Sequence, residues 1–224
     1  MRDYYEELWE RLPDELEPPD RALRLRFLLA HVAAGDRVLD LGCGDGWACA
    51  ELAAAGARPV GLEVAAAAVR RARARHPELE FQLAPIDGPL ALGDAGFDVV
   101  WSSEVIEHVA DTARWLSEVR RVLRPRGRLV LTTPNHSRLR LLAGGIARSS
   151  PPLGDHLHLY AASSLTQLLE DFDFAEIAVA GRGGPPLARR LPRRPSRLAG
   201  IDPRAAQRPG VRHDDRCARG AQRP

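Results

Sequence analysis

The chain has 224 residues, 45% of them hydrophobic and 28% charged, which is enough for one domain with a real core and too little for two full ones. It holds no apolar run of the length a transmembrane helix needs (roughly 18 residues or more), and the start Met1-Arg2-Asp3-Tyr4-Tyr5-Glu6-Glu7 is acidic rather than apolar, so neither a membrane span nor a secretory signal is expected and the expected address is the cytoplasm. The net charge of +2 is split: residues 182–224 carry 12 Arg against three acids, and the remaining body is about −7, which argues against a broad nucleic-acid-binding face.

Two segments at the start, Tyr4 to Trp9 and Arg21 to Ala33, read as helices separated by Glu17-Pro18-Pro19-Asp20, with Asp20 placed to cap the second. Arg37 to Leu41 is a short buried strand that runs into Gly42-Cys43-Gly44-Asp45-Gly46 and then a helix from Trp47 to Ala55. The alternation repeats with a strand at Arg58 to Glu63, a helix at Ala65 to Arg75 and a strand at Leu79 to Leu83. A fourth strand is expected at Phe97 to Ser102. Thr112 to Leu123 has apolar spacing at Ala113, Leu116, Val119 and Val122, which suits an amphipathic helix. Arg128 to Thr133 is a fifth strand, Ser163 to Glu170 a helix, and Phe174 to Ala180 a sixth strand. Strands alternating with helices imply βαβ units and a mainly parallel sheet. The domain plan is therefore a helical cap at 1–36, an α/β domain at 37–181, and an Arg, Pro and Gly-rich tail at 182–224 whose composition predicts disorder. Cys43, Cys49 and Cys217 form no C-x-x-C pair and give no disulfide framework or zinc site.

The glycine turn carries the chemistry. It joins a first strand to a first helix, where missing Cβ atoms let backbone approach a ligand and helix N-terminal amides face it. Dinucleotide enzymes use G-x-G-x-x-G, but here glycines fall at 42, 44 and 46 and Trp47 stands where the third would be. Asp40, inside the strand, would repel a pyrophosphate and suits a ligand that carries an ammonium and a sulfonium. Glu63 ends the second strand 19 residues past Gly44, where a carboxylate can accept from both ribose hydroxyls.

With these residues in place, the sequence resembles the class I S-adenosylmethionine (SAM)-dependent methyltransferases, specifically their broad small-molecule group. The resemblance runs through VLDLGCGDG at 38–46, GLEVA at 61–65, FDVVWSSEVIEHVAD at 97–111, LSEVRRVLRPRGRLVLTTPN at 116–135 and DHLHLYAASSLTQLLEDFDFAEI at 155–177. It implies a Rossmann-like, doubly wound α/β fold with SAM as cofactor and a small-molecule acceptor methylated at O, N or C. By the same resemblance Asp40 steadies the glycine loop and the methionine amino group, and Gly42, Cys43, Gly44 and Gly46 line the methionine and ribose. Glu63 holds the ribose hydroxyls, Val64 packs on adenine, and Ile86 and Asp87 lie at its edge. Main chain at Ser102 and Ser103 meets the methionine part. Glu107 and His108 lie near the methyl donor, with His108 the candidate base because imidazole titrates near neutrality. His156 and Tyr160 are candidate acceptor contacts, Tyr4, Tyr5 and Trp9 are candidates for a lid, and Ser137 to Ile146 for a cap. Asp155, His156 and His158 are close in sequence, yet no metal is expected.

The family sheet has seven strands and the sequence supplies six, so the seventh is expected to be missing, its place empty or filled by a partner chain in a homodimer. Three other functions stay open: a SAM-binding protein with little or no catalysis, an NAD-dependent Rossmann oxidoreductase, and a nucleic-acid or protein methyltransferase, to which the basic tail lends support. Against the second stand the absent third glycine, Asp40, and the absence of any Lys for a Tyr-x-x-x-Lys pair.

Overall fold

The computed structural model describes residues 2–13, 17, 20–85, 88–135 and 156–181. Helices α1 (Arg2–Arg11) and α2 (Arg21–Leu29) precede β1 (Arg37–Leu41), α3 (Trp47–Ala54), β2 (Arg58–Glu63), α4 (Ala66–Arg75) and β3 (Glu80–Leu83). Then come β4 (Phe97–Ser103), a single 3-10 turn (Ile106–His108), α5 (Thr112–Val122), β5 (Leu123–Thr132) and α6 (Ala162–Asp171). Among the described residues no helix is long and apolar enough to cross a membrane.

The five strands form one sheet in the order β3-β2-β1-β4-β5, and every neighbouring pair is parallel. The chain winds outward from β1 to β3, then crosses back to lay β4 on the other side of β1. This reversal is the topological switch point, where ligands of open α/β sheets bind outside the strands' C-terminal ends. Both motif-bearing loops start there, since β1 runs into Gly42–Gly46 and β4 runs into Glu104–His108.

Parallel strands covered by helices on both faces must be apolar on both, which is why β1 and β4 read as near-continuous hydrophobic runs. On one face Leu39, Leu41, Val60, Leu62 and Val100 pack against Leu116, Val119 and Val122 of α5 and Leu165 and Leu169 of α6. On the other, Val38, Val99, Trp101 and Val130 pack against Leu28 of α2 and Ala48 and Leu52 of α3. The stripe on α5 is shifted from the expected one: Ala113 is exposed, and Trp115 packs against the core instead. The Asp111 carboxylate caps α5 by accepting from Arg114 N at 2.9 Å.

Two expectations fail. Residues 174–180 form no strand: Phe174 is buried, but Asp173 and Glu176 have φ of 60° and 56°, a left-handed backbone that breaks an extended run, and Val179 is exposed. Asp20 does stand at the N-terminus of α2, but its own φ of 57° keeps its side chain from capping; its carbonyl accepts from Leu23 N and Arg24 N instead. Residues 137–146 and the tail at 182–224 lie outside the described residues.

Candidate cofactor and acceptor site

The glycine turn is a cradle that side chains would fill. Gly42, Gly44 and Gly46 have φ of 87°, 54° and 85°, a conformation that only glycine enters at little cost. A Cβ on Gly42 would collide with Val105, and one on Gly46 would lie 2.6 Å from the Phe81 ring. The turn hangs from β2 because Gly42 N and Cys43 N both donate to Leu62 O, at 2.8 and 3.0 Å.

Two carboxylates flank this cradle. Asp40 is 2% exposed, and the Cys49 thiol donates to its Oδ2 at 3.4 Å. Burial pushes its pKa up to about 7, an effect that the thiol opposes and the nearby Glu63 and Asp45 reinforce. Glu63 reaches across from the end of β2: Oε2 accepts from Gly44 N at 3.0 Å, and Oε1 accepts from Val64 N and Ala65 N at 2.7 and 3.1 Å. Burial raises its pKa too, held back by those three amides. A carboxylate offers about four acceptor positions, so room remains for a hydroxyl.

Helix α1 lies over this loop. A Cβ on Gly44 would come within 2.8 Å of the Trp9 ring. The Glu6 carboxylate accepts from Ala67 N at 2.9 Å, capping α4 in place of its own N-cap Ala65, which supplies no such bond. Arg71 donates to Leu12 O at 2.6 Å. Beneath α1 is a cavity of about 210 Å³, lined by Trp9, Leu12, Pro13, Trp47 and the Gly42–Asp45 turn.

At the end of β4, Ser102 donates to Leu41 O at 3.1 Å, tying β4 to β1. Glu104 sits at φ 57°, its carboxylate accepting from Thr132 Oγ1 at 2.9 Å and pairing with Arg24 at 3.6 Å. Ser103 Oγ shares a hydrogen bond with Thr132 Oγ1 at 2.9 Å. One turn on, Glu107 is buried, and Thr133 donates to its Oε2 at 2.9 Å. Its carbonyl accepts from Leu157 N and His158 N at 2.8 and 3.1 Å, which pins the 156–160 segment against the 3-10 turn. The His108 and His156 rings therefore meet edge-on with centroids 4.8 Å apart, and Tyr5 of α1 lies edge-on to His108 at 5.9 Å.

Of the residues singled out from sequence, Asp40, Gly42, Cys43, Gly44, Gly46, Glu63 and Val64 gather around one loop, and Ser103, His108 and His156 gather at the adjacent strand end. Tyr160 is instead part of the core, its hydroxyl 3.5 Å from Thr112 Oγ1. His158 also stands apart, with Nε2 on Val109 O at 2.9 Å. Ile86, Asp87 and Asp155 lie outside the described residues. Sequence reasoning missed the Arg24–Glu104–Thr132 network and the Cys49 and Thr133 bonds. Each is a side chain brought from another element, with no spacing signal.

Residues 1–179 match a family model described as a methyltransferase domain, and the chain belongs to that family. It is 39% identical over 146 residues to a probable S-adenosylmethionine-dependent methyltransferase of Mycolicibacterium smegmatis, covering 65% of this chain and 54% of that protein. It is 32% identical over 137 residues to a ubiquinone biosynthesis O-methyltransferase of Albidiferax ferrireducens, covering 58% and 54%. The chain thus spans about half the length of these curated relatives. Among solved structures, a S-adenosylmethionine dependent methyltransferase from Mesorhizobium loti superposes with a TM-score of 0.57 at 26% identity, over 70% of this chain and 82% of that one.

Proposed function

We propose that this protein transfers a methyl group from SAM to an O, N or C atom of a small-molecule acceptor. The observation that carries this is the pairing of a left-handed glycine cradle with Glu63, whose carboxylate is anchored on Gly44 N and keeps an acceptor position that this reading assigns to the ribose. SAM supplies an activated methyl on a sulfonium, so the protein's work is alignment and exclusion of water. Asp40 supports the loop and offers a negative charge to the methionine ammonium. Gly42, Cys43, Gly44 and Gly46 line the methionine and ribose, Val64, Ile86 and Asp87 the adenine, and Ser103 main chain the methionine again. His108, beside Glu107 and His156, is the catalytic residue on the acceptor side, and Tyr160 supports that wall from the core. On the same reading the protein works in the cytoplasm, takes no nucleic acid, and pairs with a second copy along the edge of β5 that no described strand covers.

The test is calorimetric titration of SAM into the protein and into Glu63→Ala. Binding by the parent is expected at micromolar affinity, on the order of −8 kcal/mol, with at least a tenfold loss in the variant. Glu63→Gln, which keeps one acceptor oxygen for the loop amides, serves as the milder control. A folded parent that ignores SAM but takes NAD would overturn the proposal in favour of an oxidoreductase. SAM binding with no transfer to any acceptor would mark a binding protein without catalysis.

A further inference from the structure

Three ligand-type side chains converge at the end of β4. Glu107, His108 and His156 each offer one donor atom, and the three atoms lie within 4.8 Å of one another. His108 Nε2 and Glu107 Oε1 are 3.9 Å apart, too far for a hydrogen bond and close to the spacing of two donors on one ion. Donors at ~2.0–2.2 Å from a tetrahedral centre stand roughly 3.3–3.6 Å from each other, so small side-chain rotations close the set.

The carboxylate points the same way. Among the described residues Glu107 Oε1 is buried and accepts no hydrogen bond. An unsatisfied buried carboxylate oxygen is costly, and a cation relieves that cost. The other oxygen is already oriented by Thr133, which is how supporting residues fix a metal-ligating carboxylate. The histidines are held in register by backbone rather than by chance: the Glu107 carbonyl bonds to Leu157 N and His158 N, seating His156 beside His108. His158, the other nearby imidazole, is turned away onto Val109 O.

We propose that Glu107, His108 and His156 form a binding site for a divalent transition-metal ion of the zinc class. Two imidazoles and one carboxylate are a donor set suited to such ions and poorly suited to calcium or magnesium, which take oxygen ligands. Three protein donors leave at least one position for an oxygen ligand from water or from the acceptor. This goes beyond the absence of metal expected from sequence, because the ligands come from segments nearly 50 residues apart with no motif spacing. It rests on the proposed function only in giving His108 its role: a ligand that orients the acceptor through the ion.

The experiment titrates Co²⁺ into the metal-stripped 224-residue chain and follows the visible absorption of the bound ion. Zn²⁺ competition and SAM calorimetry are run on the same samples. The expected result is one Co²⁺ per chain with the intense bands of a low-symmetry four- or five-coordinate centre, displaced by one equivalent of Zn²⁺. Glu107→Gln, His108→Ala and His156→Ala should each weaken binding at least tenfold, while His76→Ala, at the far end of α4, should not. His108 and His156 are partly exposed, the His108 side chain by 17%, so their variants remain informative even if Glu107→Gln does not fold. Octahedral-type weak absorption, no saturable binding, or equal affinity in all variants would overturn the site. If SAM still binds in that case, the methyltransferase proposal stands and only the metal falls.

Discussion

A single buried acid gives the cofactor loop its pH response. Asp40 titrates near pH 7 in the folded protein against an ordinary 3.8, chiefly because burial penalises its charge. Cys49 from α3, Glu63 from β2 and Asp45 from the loop face it, and both acids reinforce the shift. The folded state therefore holds this proton more tightly than the unfolded chain. Its stabilising contribution is complete below about pH 4 and is lost as pH rises through about 7, a swing of about 4 kcal/mol. A cationic ligand works in the opposite sense, since it favours the ionised carboxylate. SAM affinity of the parent is thus expected to rise severalfold between pH 6 and 8, with proton release measurable in buffers of different ionisation enthalpy. Asp40→Asn, which keeps an acceptor for the Cys49 thiol, should flatten that profile and melt several degrees higher than the parent at pH 8 without ligand. Matching profiles in parent and variant would remove Asp40 from cofactor binding.

At the scale of elements, α1 is tied down over the glycine turn. It is strapped to α4 through Glu6 and Arg71 and rests on Gly44 through Trp9. The cavity beside it is about 210 Å³, at the small end for a small-molecule site, and Trp9 forms part of its wall. Trp9→Ala is expected to raise the SAM association rate several-fold as measured by surface plasmon resonance. An unchanged rate would mean that entry proceeds by another side. A second element depends on one guanidinium: Arg121 of α5 bonds Glu118, Asp94 and the carbonyls of Leu90 and Leu92, organising the irregular stretch before β4. Because Arg121 is about a quarter exposed, Arg121→Ala should cost only about 1–2 kcal/mol in a urea melt. The strands and helices that line the site were legible because glycine turns and 3.6- or 2-residue periods are local signals. β1 to β5 all appear near their expected positions. The run at 174–180 was not legible as irregular, since its β-like composition does not reveal the left-handed backbone at Asp173 and Glu176. The metal-type triad and the Arg24–Glu104 pair were invisible for a related reason: contacts between distant segments leave no period in the sequence.

For the whole molecule, charge and site are separated along the chain. Every described residue assigned to the cofactor or the acceptor lies between Tyr5 and Tyr160, whereas 12 of the 32 Arg lie beyond residue 181. Among the described residues the sheet that positions the site likewise ends at Thr132, with α6 and Phe174 completing its core. Removing residues 182–224 changes the net charge from +2 to about −7, so the isoelectric point, about 8.6 for the full chain, should fall below neutrality. A purely electrostatic influence of these residues on the pocket is screened by salt beyond a Debye length of about 8 Å at physiological ionic strength. A chain ending at residue 181 is therefore expected to bind SAM within about twofold of the full chain at physiological salt, and to diverge, binding the cationic ligand somewhat more tightly, only at low salt. Calorimetry of both chains across a salt series decides it. A large, salt-independent loss on truncation would show that residues beyond 181 contact the site or the core directly.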